Sequence, residues 1–264
     1  MLGAIIGDVC GSPYEFESDK TKTFPFFQGG CRATDDSIMT IAVGCALVSS
    51  DYHNKDDFQK KLISLMRQLG NAHSDAGYGF RFYQWLQNER LGPYNSYGNG
   101  SAMRVSPTAW IAKTLKEAET LAEWSAEVTH NHKEGIKGAQ AISACIFLAR
   151  NGKTKSEIKD YIQENYYDLD FTLDEIRPSY KFDVTCQGSV PQGIMCFLES
   201  TDFEDAVRNA ISLGGDGDTI GAMAGAIAEA YYGIPENLAE EVFDYLDTDL
   251  IDYFNEYADE IYNS

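Results

Sequence analysis

Two aspartates one residue apart, Asp216 and Asp218, lie in Gly214-Gly215-Asp216-Gly217-Asp218-Thr219-Ile220-Gly221, ahead of an alanine- and glycine-rich run that ends near Tyr232. The glycines let the backbone curl tightly, and Thr219 offers a hydroxyl where a helix is expected to begin. Carboxylate and hydroxyl oxygens suit a hard divalent cation such as Mg²⁺, Mn²⁺ or Ca²⁺, whereas zinc more often recruits Cys or His. An acidic loop that merely caps a helix fits the stretch equally well. An EF-hand does not, because its fifth and twelfth positions fall on Ile220 and Ile227, where oxygen ligands are required.

The case for a cation grows with the acids elsewhere. Thr34-Asp35-Asp36-Ser37 precedes IMTIAVGCALV, an apolar stretch of helix length without strand alternation. A carboxylate at a helix start complements the macrodipole, but two adjacent aspartates exceed what capping requires. Glu15, Asp35, Asp36, Asp216 and Asp218 are thus five carboxylates near glycine-rich turns. Convergence would raise their pKa values steeply unless cations neutralised them, and two divalent ions are the economical solution.

Other turns suit an anionic ligand. Gly77 and Gly79 open FRFYQWLQ with amides that either receive phosphate or form an ordinary turn. In PYNSYGNGSAMRVSP, residues 93–107, Ser96, Gly98 and Asn99 belong to a loop that is either an anion-binding nest or a polar turn, and Tyr97 offers a flat face to a base. His130 and His132 lack acidic or Cys partners at zinc spacing, so a neutral His130 that bonds a ligand or caps the next helix is the better reading.

These groups need helices to position them. Gly3, Gly7 and Gly11 recur at i, i+4 and i+8, as do Gly217, Gly221 and Gly225, and each set makes a smooth helix face for close backbone approach. Residues 12–32 read as a loop and Asp56 to Leu69 as an amphipathic helix burying Phe58, Leu62, Leu65, Met66 and Leu69. Further helices are expected at Lys113 to Glu127, over GIKGAQAISACIFLAR, and from Val190-Pro191 with proline in the first turn. Residues 151–187 read as a helix followed by an irregular cover, and Pro235 to Ser264 as an acidic amphipathic tail packing Val242, Phe243, Leu246 and Leu250. Strand signals are scarce, and the chain reads as all-α.

At 264 residues a full core is available, and the absence of a low-complexity linker or fixed-period repeat fits one domain over 1–264. Lys and Arg number 21 against 41 Asp and Glu, so a formal charge of −20 repels nucleic-acid backbones and anionic membranes. Any anionic ligand must be held locally. Six cysteines without a C-x-x-C pair imply a reducing cytoplasm, and Asp8 breaks the apolar start, which argues against a cleaved signal peptide. No run reaches the ~18 apolar residues of a membrane span.

The motifs GAIIGDVCGSPYEF at 3–16, TDDS at 34–37, YGNGSAMRVSP at 97–107, THNHKEGIKGA at 129–139 and GGDGDTIGAMAGAIAEAYYG at 214–233 together resemble the ADP-ribosylglycohydrolases, which include the dinitrogenase reductase activating glycohydrolase. The resemblance runs over nearly the whole chain in the family's order. It implies a compact, orthogonal all-helical bundle with a binuclear Mg²⁺ or Mn²⁺ site. By position, Thr34, Asp35, Asp36, Asp216, Asp218 and Thr219 resemble the metal ligands, with Glu15, Asp36 and Asp218 in the catalytic set. Gly77 and Gly79 look like diphosphate contacts, Ser96, Tyr97, Gly98 and Asn99 like ADP-ribose contacts, and His130 lies near it. Ser37 replaces the usual second Thr of TDDT, Gly217 fills a position that is often polar, and Lys133 replaces a common Pro.

The implied reaction releases ADP-ribose from a modified macromolecule by cleaving at C1 of the distal ribose, with N-linked arginine favoured over O-linked serine. Glu15, or water acidified by the ions, is the expected base. The chain is expected to act as a monomer. A non-catalytic ADP-ribose-binding module and a metal-dependent phosphoesterase are the alternatives, separated by whether ADP-ribose, nothing or phosphate is released.

Overall fold

Residues 1–15 and 20–262 are described by a computed structural model. Phe16, which ends the first motif, part of the expected 12–32 loop, and the last two residues of the acidic tail lie outside the described residues. The described residues form 15 α-helices and no strand, as the scarcity of alternating patterns predicts. In order they are α1 (Leu2–Gly11), α2 (Asp35–Val48), α3 (Lys55–Ala72), α4 (Phe80–Gln87), α5 (Gly100–Met103), α6 (Ser106–Ile111), α7 (Leu115–Glu127) and α8 (Lys133–Arg150). There follow α9 (Lys155–Asn165), α10 (Leu173–Ile176), α11 (Cys186–Leu198), α12 (Phe203–Leu213), α13 (Gly217–Tyr232), α14 (Glu236–Glu241) and α15 (Thr248–Tyr262). No described helix is long and apolar enough to cross a membrane.

Local chemistry sets many of the helix starts. Asn54, Thr114, Thr154, Thr172, Thr185 and Asp202 each accept a hydrogen bond from a first-turn amide, a cap that contributes about 1 kcal/mol. The Thr185 cap corrects one expectation. It starts α11 at Cys186 and leaves Pro191 inside the helix, beyond the first turn. The amphipathic face of α3 buries Phe58, Leu62, Leu65, Met66 and Leu69 as its spacing predicts, and Val242, Leu246 and Leu250 of the acidic tail are buried with Phe243 packed beside them.

At the centre lie two helices with no solvent face. Every residue of α1 is buried, and so is α13 from Gly217 to Glu229, around which α1, α8, α11 and α12 pack. Their crossing brings backbone against backbone. A Cβ added to Gly221 would stand 2.6 Å from the Gly7 carbonyl oxygen, and one added to Gly11 would stand 2.5 Å from Asp218 Cα. Gly3 and Gly225 close on each other's carbonyl oxygens in the same way. Each glycine costs up to about 1 kcal/mol of helix propensity, and this contact offsets it. At the far end of the crossing, the Glu229 carboxylate accepts the Gly3 amide at 2.9 Å and the Tyr262 hydroxyl of α15.

Helix α2 packs against α1, α3 and α15, and Gly44 gives the Tyr257 ring of α15 its seat. The start of α2 thereby arrives beside the start of α13. Gly7→Ala is expected to destabilise the protein by about 3 kcal/mol or more, because neither backbone can retreat. Gly29→Ala, where an added Cβ meets nothing within 4 Å, is expected to stay within ~0.5 kcal/mol. Urea denaturation of both variants checks this, and equal midpoints would refute the crossing as a tight contact.

Candidate metal centre and ligand cavity

Three chain segments deliver oxygen ligands to one place. Helix α1 ends in a short 3₁₀ turn, Ser12–Tyr14, that sets Glu15. The first turn of α2 carries Asp35 and Asp36 behind its cap Thr34, and the first turn of α13 carries Asp218 and Thr219 behind Asp216. Both helices turn their positive ends toward these acids, which favours negative charge there.

Asp8 organises the α2 end. It is fully buried, and it accepts hydrogen bonds from the Thr34 amide (2.9 Å), the Thr34 hydroxyl (2.6 Å), the Ser37 amide (3.0 Å) and the Ser37 hydroxyl. The Thr34 hydroxyl proton is spent on Asp8 and its Oγ1 accepts the Asp36 amide at 3.4 Å as the α2 cap, which leaves one lone pair to a cation. A serine at 37 retains the hydroxyl that the usual threonine would offer. Across the site, Thr219 Oγ1 donates to Asp36 Oδ2 at 3.1 Å and the Asn99 amide donates to Asp216 Oδ2 at 2.6 Å.

Two acidic groups result. Asp8, Asp36 and Asp218 each place an oxygen within 4.8 Å of the others, and so do Glu15, Asp216 and Asp218. Asp218 belongs to both. Asp35 stands outside these two groups and lies toward Gly77, whose added Cβ would come 3.5 Å from Asp35 Oδ1.

The acids pay electrostatically for this proximity. Burial, then the neighbouring Asp218, holds Asp36 well above the carboxylate range; burial, then Asp216 and Asp8, does the same to Asp218. Burial raises Asp216 against the Asn99 hydrogen bond, and it raises Asp8 against its own four. Asp35 is pushed up to about 8 by burial and by Asp8 and Asp216, and Glu15 to about 7 by burial and Asp216. Asp36 Oδ1 is buried with no hydrogen-bond partner among the described residues. Hard oxygen donors, an unpartnered carboxylate oxygen and uncompensated repulsion form a set that a divalent cation fits.

Over the acids opens a cavity of about 400 Å³, lined at its floor by Glu15, Asp35, Asp36, Asp216, Asp218 and Thr219. Gly77, at φ +104°, and Gly79 form one wall, and Ser96, Gly98, Asn99 and His130 another. The 97–99 loop is joined to the 184–186 segment, with the Asn99 amide donating to the Val184 carbonyl (2.8 Å) and the Cys186 amide to the Tyr97 carbonyl (2.9 Å). That bridge puts Phe182 and Val184, both half-exposed, at the cavity rim. Tyr97 lies outside the lining, its ring edge-on to His132. The α8 cap is His132, whose Nδ1 accepts the Glu134 amide at 3.1 Å, so His130 is left to the cavity.

Asp8 was legible only as a charge interrupting an apolar helix, although a fully buried carboxylate there demands partners. Arg81, Arg104, Phe80 and Phe182 also line the cavity, and no local motif marks them as such. The bridge that presents Phe182 joins residues far apart in sequence and carries no local signal.

Known proteins resemble this chain in sequence and in fold. The chain is 26% identical to ADP-ribosylhydrolase ARH3 of Homo sapiens, over 95% of this chain and 90% of that protein. It is 27% identical to ADP-ribosylarginine hydrolase Tri1 of Pseudomonas putida (strain GB-1), over 92% of this chain and 76% of that one. Its fold is that of a solved ADP-ribosylglycohydrolase-related protein complex, with a TM-score of 0.63 at 21% identity over 92% of this chain and 94% of that chain. The sequence model of the ADP-ribosylglycohydrolases matches residues 1–264, and with acids from both ends of the chain gathered beneath one cavity, the protein belongs to the ADP-ribosylglycohydrolase family.

Proposed function

We propose that the protein releases ADP-ribose from a modified macromolecule by hydrolysing the bond at C1 of the distal ribose. The observation that carries this reading is the pair of acidic groups sharing Asp218 at the floor of the cavity. Thr34, Asp35, Asp36, Asp216, Asp218 and Thr219 would hold two divalent cations, Mg²⁺ or Mn²⁺. Such ions bind the vicinal hydroxyls of a ribose and lower the pKa of water toward about 7.

The protein's own groups do the rest. Asp36 and Asp218 face the positive charge that develops on the sugar ring as its C1 bond breaks, and they stabilise it. Glu15, which burial and Asp216 push up to about 7 in the ion-free protein, stands beside these ligands as the base for the attacking water. Amides at Gly77 and Gly79, the Gly98 turn and the side chains of Ser96, Asn99 and His130 receive the diphosphate and sugars. An acid-lined cavity favours a cationic leaving group, which selects N-linked arginine over O-linked serine. We assign the activity to one domain acting as a monomer in the cytoplasm, where six free, buried thiols persist.

Asp36→Asn and Asp218→Asn are each expected to cut release of ADP-ribose from an ADP-ribosyl-arginine substrate roughly a thousandfold, about 4 kcal/mol of barrier, with helical circular dichroism unchanged. Wild-type rates in both variants would remove these residues from the mechanism, and release of phosphate in place of ADP-ribose would select a phosphoesterase. A faster turnover of ADP-ribosyl-serine would reverse the assigned linkage.

The raised carboxylate pKa values give a second expectation. Groups that bind protons more tightly when folded favour the fold fully below their unfolded pKa of ~4, and that advantage is lost as pH rises toward their folded values. Without divalent ions, the melting temperature should therefore fall between about pH 5 and 8. Added Mg²⁺ should raise it most at the upper end, where fewer protons compete. Thermal scans with EDTA and with Mg²⁺ across this range test the linkage, and an Mg²⁺ effect independent of pH would contradict it.

A further inference from the structure

Beside the acids the cavity holds one buried histidine, and what stands behind it decides what it offers. His130 is 5% exposed, Thr129 and Arg104 are buried behind it, and all three lie where α5, α7 and α8 meet. Arg104 Nη2 donates to the Ser125 carbonyl at 3.1 Å and to Thr129 Oγ1 at 2.9 Å. Thr129 Oγ1 lies 2.7 Å from His130 Nδ1. At the opposite edge of the ring, Nε2 faces the Gly98–Gly100 turn, where a Cβ on Gly100 would stand 3.2 Å from it.

Proton accounting settles the direction of this chain. A guanidinium only donates, and a threonine hydroxyl has one proton to give. Thr129 Oγ1 accepts from Arg104, so its own proton needs an acceptor, and His130 Nδ1 is the one within reach among the described residues. A protonated Nδ1 would leave the buried hydroxyl proton unpartnered, at a cost of about 1–3 kcal/mol. Nδ1 is therefore bare, and the neutral ring carries its proton on Nε2.

We propose that Arg104 and Thr129 are positioning residues that lock His130 as the Nε2–H tautomer, giving the acid-lined cavity a fixed, uncharged donor for an acceptor oxygen of the ligand. This rests on the ligand cavity described above. Burial, then the charges of Arg104 and Arg81, holds the His130 pKa well below its ordinary value, so the ring stays neutral. An uncharged N–H adds a hydrogen bond for a phosphate or sugar oxygen without drawing the carboxylates into an ion pair. The same device explains a fully buried arginine with no carboxylate in salt-bridge reach among the described residues: its charge is used to polarise a hydroxyl.

The tautomer is read directly in the intact protein labelled with ¹⁵N-histidine, by long-range ¹H–¹⁵N correlation spectra, with His130→Gln identifying the signal. Wild type and Thr129→Ser should show a protonated Nε2 and a bare Nδ1, while Thr129→Val should show a protonated Nδ1 or a mixture. A protonated Nδ1 in the wild type overturns the relay, and this holds even if Thr129→Val does not fold. In calorimetry with Mg²⁺ and ADP-ribose, Thr129→Val should bind about tenfold more weakly, and Thr129→Ser within about threefold of wild type, as loss of one aligned hydrogen bond predicts. Equal affinity of wild type and Thr129→Val would overturn the role in binding. A wild type with the expected tautomer but no affinity for ADP-ribose would instead reject the ligand reading and, with it, this use of the relay.

Discussion

Like-charged carboxylates held together away from water are the constraint on which this structure depends. Asp8, Asp36, Asp216 and Asp218 are all buried, and none is matched by a basic side chain in salt-bridge reach among the described residues. Left alone, such a group would spread apart or take up protons. It is kept together by elements that cannot move independently. The α1–α13 crossing is backbone on backbone, and any separation of its acids would have to open that seam.

Within this frame, the roles of the acids differ by their partners. Asp8 is saturated by four donors from the start of α2, so it serves as the clamp that aims its neighbours. Asp36 keeps one oxygen without a partner, and Asp218 is common to both groups. Partner groups behind the ligands fix ligand orientation as firmly as the ligands themselves. On the opposite wall, Arg104 and Thr129 stand behind His130 as Asp8 stands behind Thr34. Thr34 and His130 thus each have a proton position set by the group behind them.

Much of this was legible in the sequence because it is periodic or local. The i, i+4, i+8 glycines announced the close crossing, and paired acids at two helix starts exceeded what capping needs. What escaped depends on contacts between distant segments. Asp8 read as an interruption of an apolar helix, since nothing near it in sequence shows that Thr34 and Ser37 would meet it. Pro191 looked like a helix start because proline is tolerated in a first turn, but the Thr185 cap set the start further back. Capping at the start of α8 fell to His132 because its ring reaches the Glu134 amide, while the His130 ring is turned to Thr129.

The central crossing also dictates when the molecule can assemble. The Gly3 amide and the Glu229 carboxylate that accepts it are 226 positions apart. At about 5–20 residues per second, a ribosome needs roughly 10–45 s to supply α13 after α1 has been made. Throughout that interval the faces of α1, apolar but for Asp8, lack their partner, and a loop of this length must close before they meet it. Synthesis of this protein therefore passes through a stage in which its first helix needs shelter from other nascent chains.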